Sequence, residues 1–267
     1  MQIPPLNTHE FQSLVEVVKT LRGPTGCPWD KEQTHSTLTQ YAIEEAHELA
    51  DAIDRNDKSA IIEELGDLLL QVILHSEIAR QEGSFTLADV ISGITQKMVR
   101  RHPHVFGDVK VKDSQEVLSQ WSKIKEGEKA DSKSSSNPFA NIPQSLPALI
   151  HAQKIGAKSV RLNFDWANAQ DVFKKVEEEL REVEETLSTK DTKAQQMEIG
   201  DLLFSVVQLA RHLNFDAEQA LRLTNSKFIT RFMRMRELVD KDGKIFSNLN
   251  VQDLETYWVK AKVFERG

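Results

Sequence analysis

Acidic residues recur in this sequence at a spacing that suits metal chemistry, and they do so twice. Glu44-Glu45-x-x-Glu48 is followed after fifteen residues by Glu64-x-x-Asp67, and Glu178-Glu179-x-x-Glu182 is followed after fifteen by Glu198-x-x-Asp201. One offset relates all five positions: 178−44, 179−45, 182−48, 198−64 and 201−67 are each 134. Residues three or four apart are neighbours on a helix, so Glu45 projects with Glu48, and Glu64 with Asp67. Where two such helices pair, four carboxylates meet. Burying even one bare carboxylate is costly, and a hard divalent cation relieves the repulsion. All-oxygen ligation suits Mg²⁺ or Mn²⁺ better than Zn²⁺. A single E-E-x-x-E is common on solvated helix faces; its duplication with a matching E-x-x-D favours metal.

Cations and aromatic rings recur in the same order. Lys97 and Arg101 correspond to Lys227 and Arg231 at an offset of 130, as if a connecting loop were shorter in the second copy. Trp121-Ser-Lys123-Ile-Lys125 corresponds to Trp258-Val-Lys260-Ala-Lys262 at an offset of 137. The Lys/Arg pairs, four residues apart, suit a polyphosphate, and Trp121 and Trp258 suit stacking on a nucleobase. The ordinary alternatives are a solvated helix face for the cations and a core position for each Trp. Bound Mg²⁺ would neutralise phosphate oxygens and lower the pKa of an attacking water.

The elements that must position these groups are helices. Ala42 to Asp54 has helix-favouring Ala, Glu and Leu with neither Gly nor Pro. Ser59 is the expected N-cap of a helix running from about residue 60 to 82. Ile61, Leu65, Leu68, Leu69, Val72 and Leu74 fall at helical spacing, repeated by Ile199, Leu202, Leu203, Val206, Val207 and Leu209. A short turn at 55–58 makes the two helices antiparallel neighbours, with Glu64 and Asp67 bordering the apolar stripe. No segment alternates as a strand does, so each half is expected to be a helical bundle. The polar, Ser-rich stretch around residues 127–140 is the expected linker between a first domain, 1–126, and a second, 141–267.

Composition limits the remaining classes. Eleven Gly and eight Pro among 267 residues, with 28% charged and 39% hydrophobic, suit a soluble helical protein. One cysteine, Cys27, excludes an internal disulfide framework, and no secretory signal or membrane span is visible, which makes the cytoplasm the expected location. A net charge of −7 argues against stable nucleic-acid binding. There is neither G-x-x-x-x-G-K-[ST] nor G-x-S-x-G. His102 and His104 have the look of a helix terminator. Glu44-x-x-His47 mimics half of a di-iron motif, but the second copy has Arg181 there. A non-enzymatic nucleotide sensor remains open for the first half.

These residues resemble the all-α nucleoside triphosphate pyrophosphohydrolases of the MazG-like superfamily. Beyond the acidic motif, Gly26-Cys-Pro-Trp-Asp-Lys-Glu-Gln-Thr34, Glu64-Leu-Gly-Asp-Leu-Leu69, Arg100-Arg-His-Pro-His-Val-Phe106, Ser145-Leu-Pro-Ala-Leu149, Asn163-Phe-Asp-Trp166 and Lys227-Phe-x-x-Arg-Phe232 are similar to its two-domain members. The resemblance implies two tandem helical domains in an intertwined homodimer. It implies Mg²⁺-dependent hydrolysis of ribo- and deoxynucleoside triphosphates to monophosphate and pyrophosphate, with broad base specificity and a housecleaning role. Carried over residue by residue, Glu179, Glu182, Glu198 and Asp201 would ligate Mg²⁺, with Mn²⁺ as substitute. Lys175, Lys227, Arg231 and Trp258 would contact nucleotide. The second domain is the one expected to catalyse; Glu45, Glu48, Glu64 and Asp67, with Lys97, Arg101, Trp121 and Lys125, are the further candidates in the first. Glu178 is left as a general base or outer-shell group. The sequence departs at Ala194, where a basic residue is expected, and Lys193 is the substitute.

Overall fold

The computed structural model describes residues 7–130 and 137–263, all helix, turn or loop, with no strand among them. The chain divides into two compact units, residues 1–134 and 135–267. Unit 1 runs α1 (Phe11–Leu21), α2 (Pro28–Glu32), α3 (Thr39–Asp54), α4 (Lys58–Glu82), α5 (Leu87–Arg101), α6 (Pro103–Phe106) and α7 (Ser114–Ala130). Unit 2 runs α8 (Ala148–Val160), α9 (Ala169–Leu187), α10 (Thr192–His212), α11 (Ala217–Lys241), a 3₁₀ turn at Phe246–Asn248, and α12 (Val251–Val263). No helix among the described residues is long and apolar enough to cross a membrane.

The centre of each unit is a helical hairpin, α3 with α4 and α9 with α10. The second helix of each starts in the same way. Asp57 accepts from the backbone N–H of Ser59 and Ala60, and Asp191 from those of Lys193 and Ala194. The acceptors are again 134 apart, 191−57. Ser59, the cap expected from the sequence, lies inside α4 instead, and its hydroxyl donates to Asp57 at 2.7 Å. A carboxylate accepting two helical N–H groups is also favoured by the positive end of the helix dipole.

In unit 1, Ile73, Leu74 and Ile78 of α4 form a core with Val15 and Val18 of α1 and with Leu38. In unit 2, Met235 and Val239 of α11 pack against Tyr257 and Ala261 of α12. The apolar stripe read as one face of the hairpin helix divides in the structure. Leu74 is buried, but Leu65, Leu69 and Val72 are 52%, 38% and 45% exposed. Their counterparts Ile199, Leu203 and Val206 are 46%, 53% and 46% exposed. Helix α4 is thus apolar on two sides, and a single chain covers one of them.

Helix α7 continues to Ala130, so residues 127–130 of the expected linker are helical; residues 131–136 lie outside the described residues. An ion pair holds that helical end in place. Glu128 accepts from Arg100 at 2.7 Å and from Arg101 at 2.6 Å.

Candidate metal centre

Helices α9 and α10 bring Glu179, Glu182 and Glu198 together, with one carboxylate oxygen of each within 4.8 Å of the others. Helices α3 and α4 do the same for Glu45, Glu48 and Glu64. The turn between hairpin helices sets this register: Glu179 and Glu182 lie one turn apart on α9, and Glu198 faces them from the second turn of α10. Asp201 and Asp67 stand one turn further along, outside the two trios. Asp67 still acts on its trio electrostatically, helping to raise Glu45 and Glu64 above the ordinary carboxylate value of 4.5.

The two trios differ in a neighbour on the first helix of each hairpin. Lys175, one turn before Glu179 on α9, lies 2.7 Å from both Glu178 and Glu179. The position 134 earlier is Tyr41, which packs against the core and meets Trp29 edge-on. Unit 1 therefore gathers its carboxylates without that cation. Burial and then the charges of Asp67, Glu48, Glu64 and Glu44 push the Glu45 carboxyl up. In unit 2, burial and then Glu179 raise Glu182, with Lys175 opposing them. The Glu178 carboxyl is instead held below its usual range by Lys175. It lies outside the trio, bonded to the lysine.

The donor set fits a hard divalent ion. Glu179 is only 5% exposed, and its Oε2 is buried with no hydrogen-bond partner. A buried carboxylate oxygen left so is expensive, and a cation among three carboxylates satisfies it. Three oxygens from the protein leave room for water and phosphate ligands, the usual arrangement around Mg²⁺.

The remaining sequence candidates sit on other helices. Lys227 and Arg231 lie on α11, and Trp258 lies on α12 with its ring 5.1 Å from Phe228. Trp258, Phe228, Phe232 and Leu254 help to line an apolar cleft of about 350 Å³. Lys193 begins α10, exposed, five residues before Glu198 and so about 140° around the helix from it. In unit 1, Lys97 is half-buried on α5 and Arg101 is bound to Glu128. Trp121 on α7 sets its ring edge-on to His102 at 5.0 Å. The Lys125 side chain lies outside the described residues.

The profile of the MazG nucleotide pyrophosphohydrolase domain matches the sequence twice, over residues 33–106 and 168–234. The chain belongs to the MazG family. Both trios, Lys97, Arg101, Lys175, Lys193, Lys227 and Arg231 fall inside the matched residues; Trp121, Lys125 and Trp258 fall outside. The chain is similar to a nucleoside triphosphate pyrophosphohydrolase/pyrophosphatase MazG of Thermotoga maritima, 45% identical over 94% of this chain and 95% of that protein. It is 41% identical to a nucleoside triphosphate pyrophosphohydrolase of Escherichia coli (strain K12), over 95% of this chain and 97% of that one. A crystal structure of a mazG-related protein from Thermotoga maritima aligns with a TM-score of 0.38 and 28% identity, covering 43% of this chain and 98% of that one. Two MazG domains on an all-helical chain make this protein an enzyme of the nucleotide pyrophosphohydrolase class.

Proposed function

We propose that unit 2 hydrolyses nucleoside triphosphates, ribo and deoxy and with little regard to base, to the monophosphate and pyrophosphate. The observation that carries this reading is the orphaned, buried oxygen of Glu179 among three carboxylates. Glu179, Glu182 and Glu198 would hold Mg²⁺, or Mn²⁺ in its place, with Asp201 one turn away as a further ligand. Bound there, the ion would neutralise phosphate oxygens and acidify water for attack at the α-phosphorus.

The chain's own groups do the rest. Lys175 balances Glu178 and Glu179 before substrate arrives, and its ammonium can turn to a phosphate oxygen once a divalent ion takes that charge. Glu178, with its lowered proton affinity, fits better as the group that positions Lys175 than as a general base. Lys227 and Arg231 would grip the polyphosphate, and Lys193 would meet its outer edge. Trp258 and the apolar cleft beside Phe228 offer a flat contact that every base satisfies. Such stacking suits housecleaning of a mixed nucleotide pool. The single Cys27 fits a cytoplasmic setting.

A homodimer belongs to the same reading. Each hairpin leaves three apolar residues exposed at i, i+4 and i+7, at positions repeated with the offset of 134. A second copy is the occupant that this repetition favours. Glu182→Gln tests the chemistry. Pyrophosphate release from a panel of ribo- and deoxynucleoside triphosphates should be abolished, with the helical circular dichroism unchanged. Full activity in that variant would sink the reading.

A further inference from the structure

Where α5 ends in unit 1, two guanidinium groups converge on one carboxylate. Arg100 bonds Glu128 Oε1 at 2.7 Å, and Arg101 bonds Oε2 at 2.6 Å. Both partners of the inner pair are largely enclosed, Arg101 at 21% and Glu128 at 23% side-chain exposure. The two arginines hold the Glu128 carboxyl down to about 2, with Arg101 the larger influence. Two adjacent arginines that engage both oxygens of one anion have the geometry that recognises phosphate.

The surroundings suit a larger anion than a side-chain carboxylate. Lys97 stands one turn before Arg101 on the same helix. His102, bonded through Nδ1 to Met98 O at 2.6 Å, has its ring 5.6 Å from that of His104 and 5.0 Å from that of Trp121. His104 has a buried Nδ1 without a hydrogen-bond partner. Cations, an aromatic ring and an unsatisfied nitrogen thus gather at one junction of α5, α6 and α7, and among the described residues the anion bound to both arginines is Glu128, seven residues beyond Trp121.

We propose that Glu128 is an internal stand-in for substrate phosphate, so that unit 1 takes up a phosphorylated ligand only when the end of α7 releases Arg100 and Arg101. A ligand must displace the carboxylate to bind, and the apparent affinity falls by the fraction of molecules in which the pair is open. The first of the two repeated sites is thereby latent. Glu128 has a counterpart in the sequence, Glu265, at the offset of 137 that relates the two Trp residues. Residue 265 lies outside the described residues, and the inference concerns unit 1 alone. It rests on the proposed function, that this chain takes up and hydrolyses nucleoside triphosphates.

The test uses the full chain with unit 2 silenced by Lys227→Ala and Arg231→Ala, and ATP with Mg²⁺ as the probe in calorimetry. Adding Glu128→Gln should tighten ATP binding roughly tenfold, the gain expected if the closed pair holds about nine-tenths of the molecules. A further Arg101→Ala should reverse that gain. Unchanged or weaker affinity, or a gain that survives Arg101→Ala, overturns the proposal. If the Gln variant unfolds, Glu128→Asp serves instead, since it withdraws the carboxylate by one methylene and should give a smaller gain; no gain overturns the proposal. Pyrophosphate release by the unaltered chain reports separately on the underlying reading. With release present and no gain from Glu128→Gln, the inference alone falls.

Discussion

Glu179 and Lys175 form an ion pair whose balance the divalent ion proposed above would upset. The ammonium reaches Glu179 from one turn away, and hydrogen bonds to Glu178 and Glu179 raise its own proton affinity. Under the proposed function, lysine and metal would compete for one carboxylate. Lys175→Met should strengthen Mn²⁺ binding in the absence of nucleotide by up to about fivefold, the range of a partly exposed ion pair, while lowering kcat/KM for ATP. Electron paramagnetic titration and pyrophosphate release separate the two effects, and a loss of both would show that the lysine organises the site instead. The carboxylates add a dependence on pH. Glu45, Glu64 and Glu182 are raised above 4.5, so the folded chain binds protons more tightly there than the unfolded chain does. Without metal, their effect is to lower stability as pH rises through the window between 4.5 and the raised values, and saturating Mg²⁺ should remove that fall. Glu128 works in the opposite direction and lower: its contribution is complete above 4.5 and lost as pH falls towards about 2. Thermal unfolding across that range, with Mg²⁺ and with chelator, separates the two slopes.

The hairpins were legible in the sequence because one offset carried every acidic position, and fifteen residues between the motifs leave room for little besides one tight turn. The cap was misplaced because Ser59 and Asp57 both suit an N-cap; comparing the two copies would have chosen Asp57, whose partner is Asp191, over Ser59, whose partner is Lys193. Helical spacing sets Asp67 and Asp201 on the side of the trios but says little about distance across the hairpin, which leaves them one turn further along. The clasp of Glu128 joins residues 27 and 28 positions apart, a separation that no local pattern reports. Packing between elements was equally silent in the sequence. At Gly156 of α8, an added Cβ would lie 1.8 Å from Gln208 Oε1 on α10. Gln208 cannot simply swing aside: it is fully buried, donates to Ala152 O at 3.0 Å and accepts from Arg211 at 2.8 Å. Arg211 in turn holds Asp165 in the loop before α9. Gly156→Ala should therefore destabilise unit 2 by about 1–3 kcal/mol. Chemical denaturation should show it as a lower midpoint for the unit containing Trp166 and Trp258.

At the scale of the whole molecule, the exposed apolar stripes bear on the proposed homodimer. Ile199, Leu203 and Val206 are each close to half exposed, and α10 also carries Glu198 and Asp201. Leaving such residues wet forgoes roughly 25 cal/mol for every Å² of apolar surface that a partner would cover. The stripe and the carboxylates share one helix, with Leu203 five residues beyond Glu198. Covering the stripe would therefore also fix the helix that carries Glu198. Leu203→Asp places a charge at the centre of that stripe, where burial against a second copy is prohibitive. In sedimentation the unaltered chain should have twice the 30.4 kDa mass of one chain, and the variant should approach the single mass. Because α10 keeps its contacts with α8 and α9 inside the unit, helical circular dichroism should hardly change. Activity per chain should fall with the dimer fraction and recover in part at high protein concentration. A monomeric unaltered chain with full activity would refute the dimer, while leaving the carboxylate chemistry of the single unit standing.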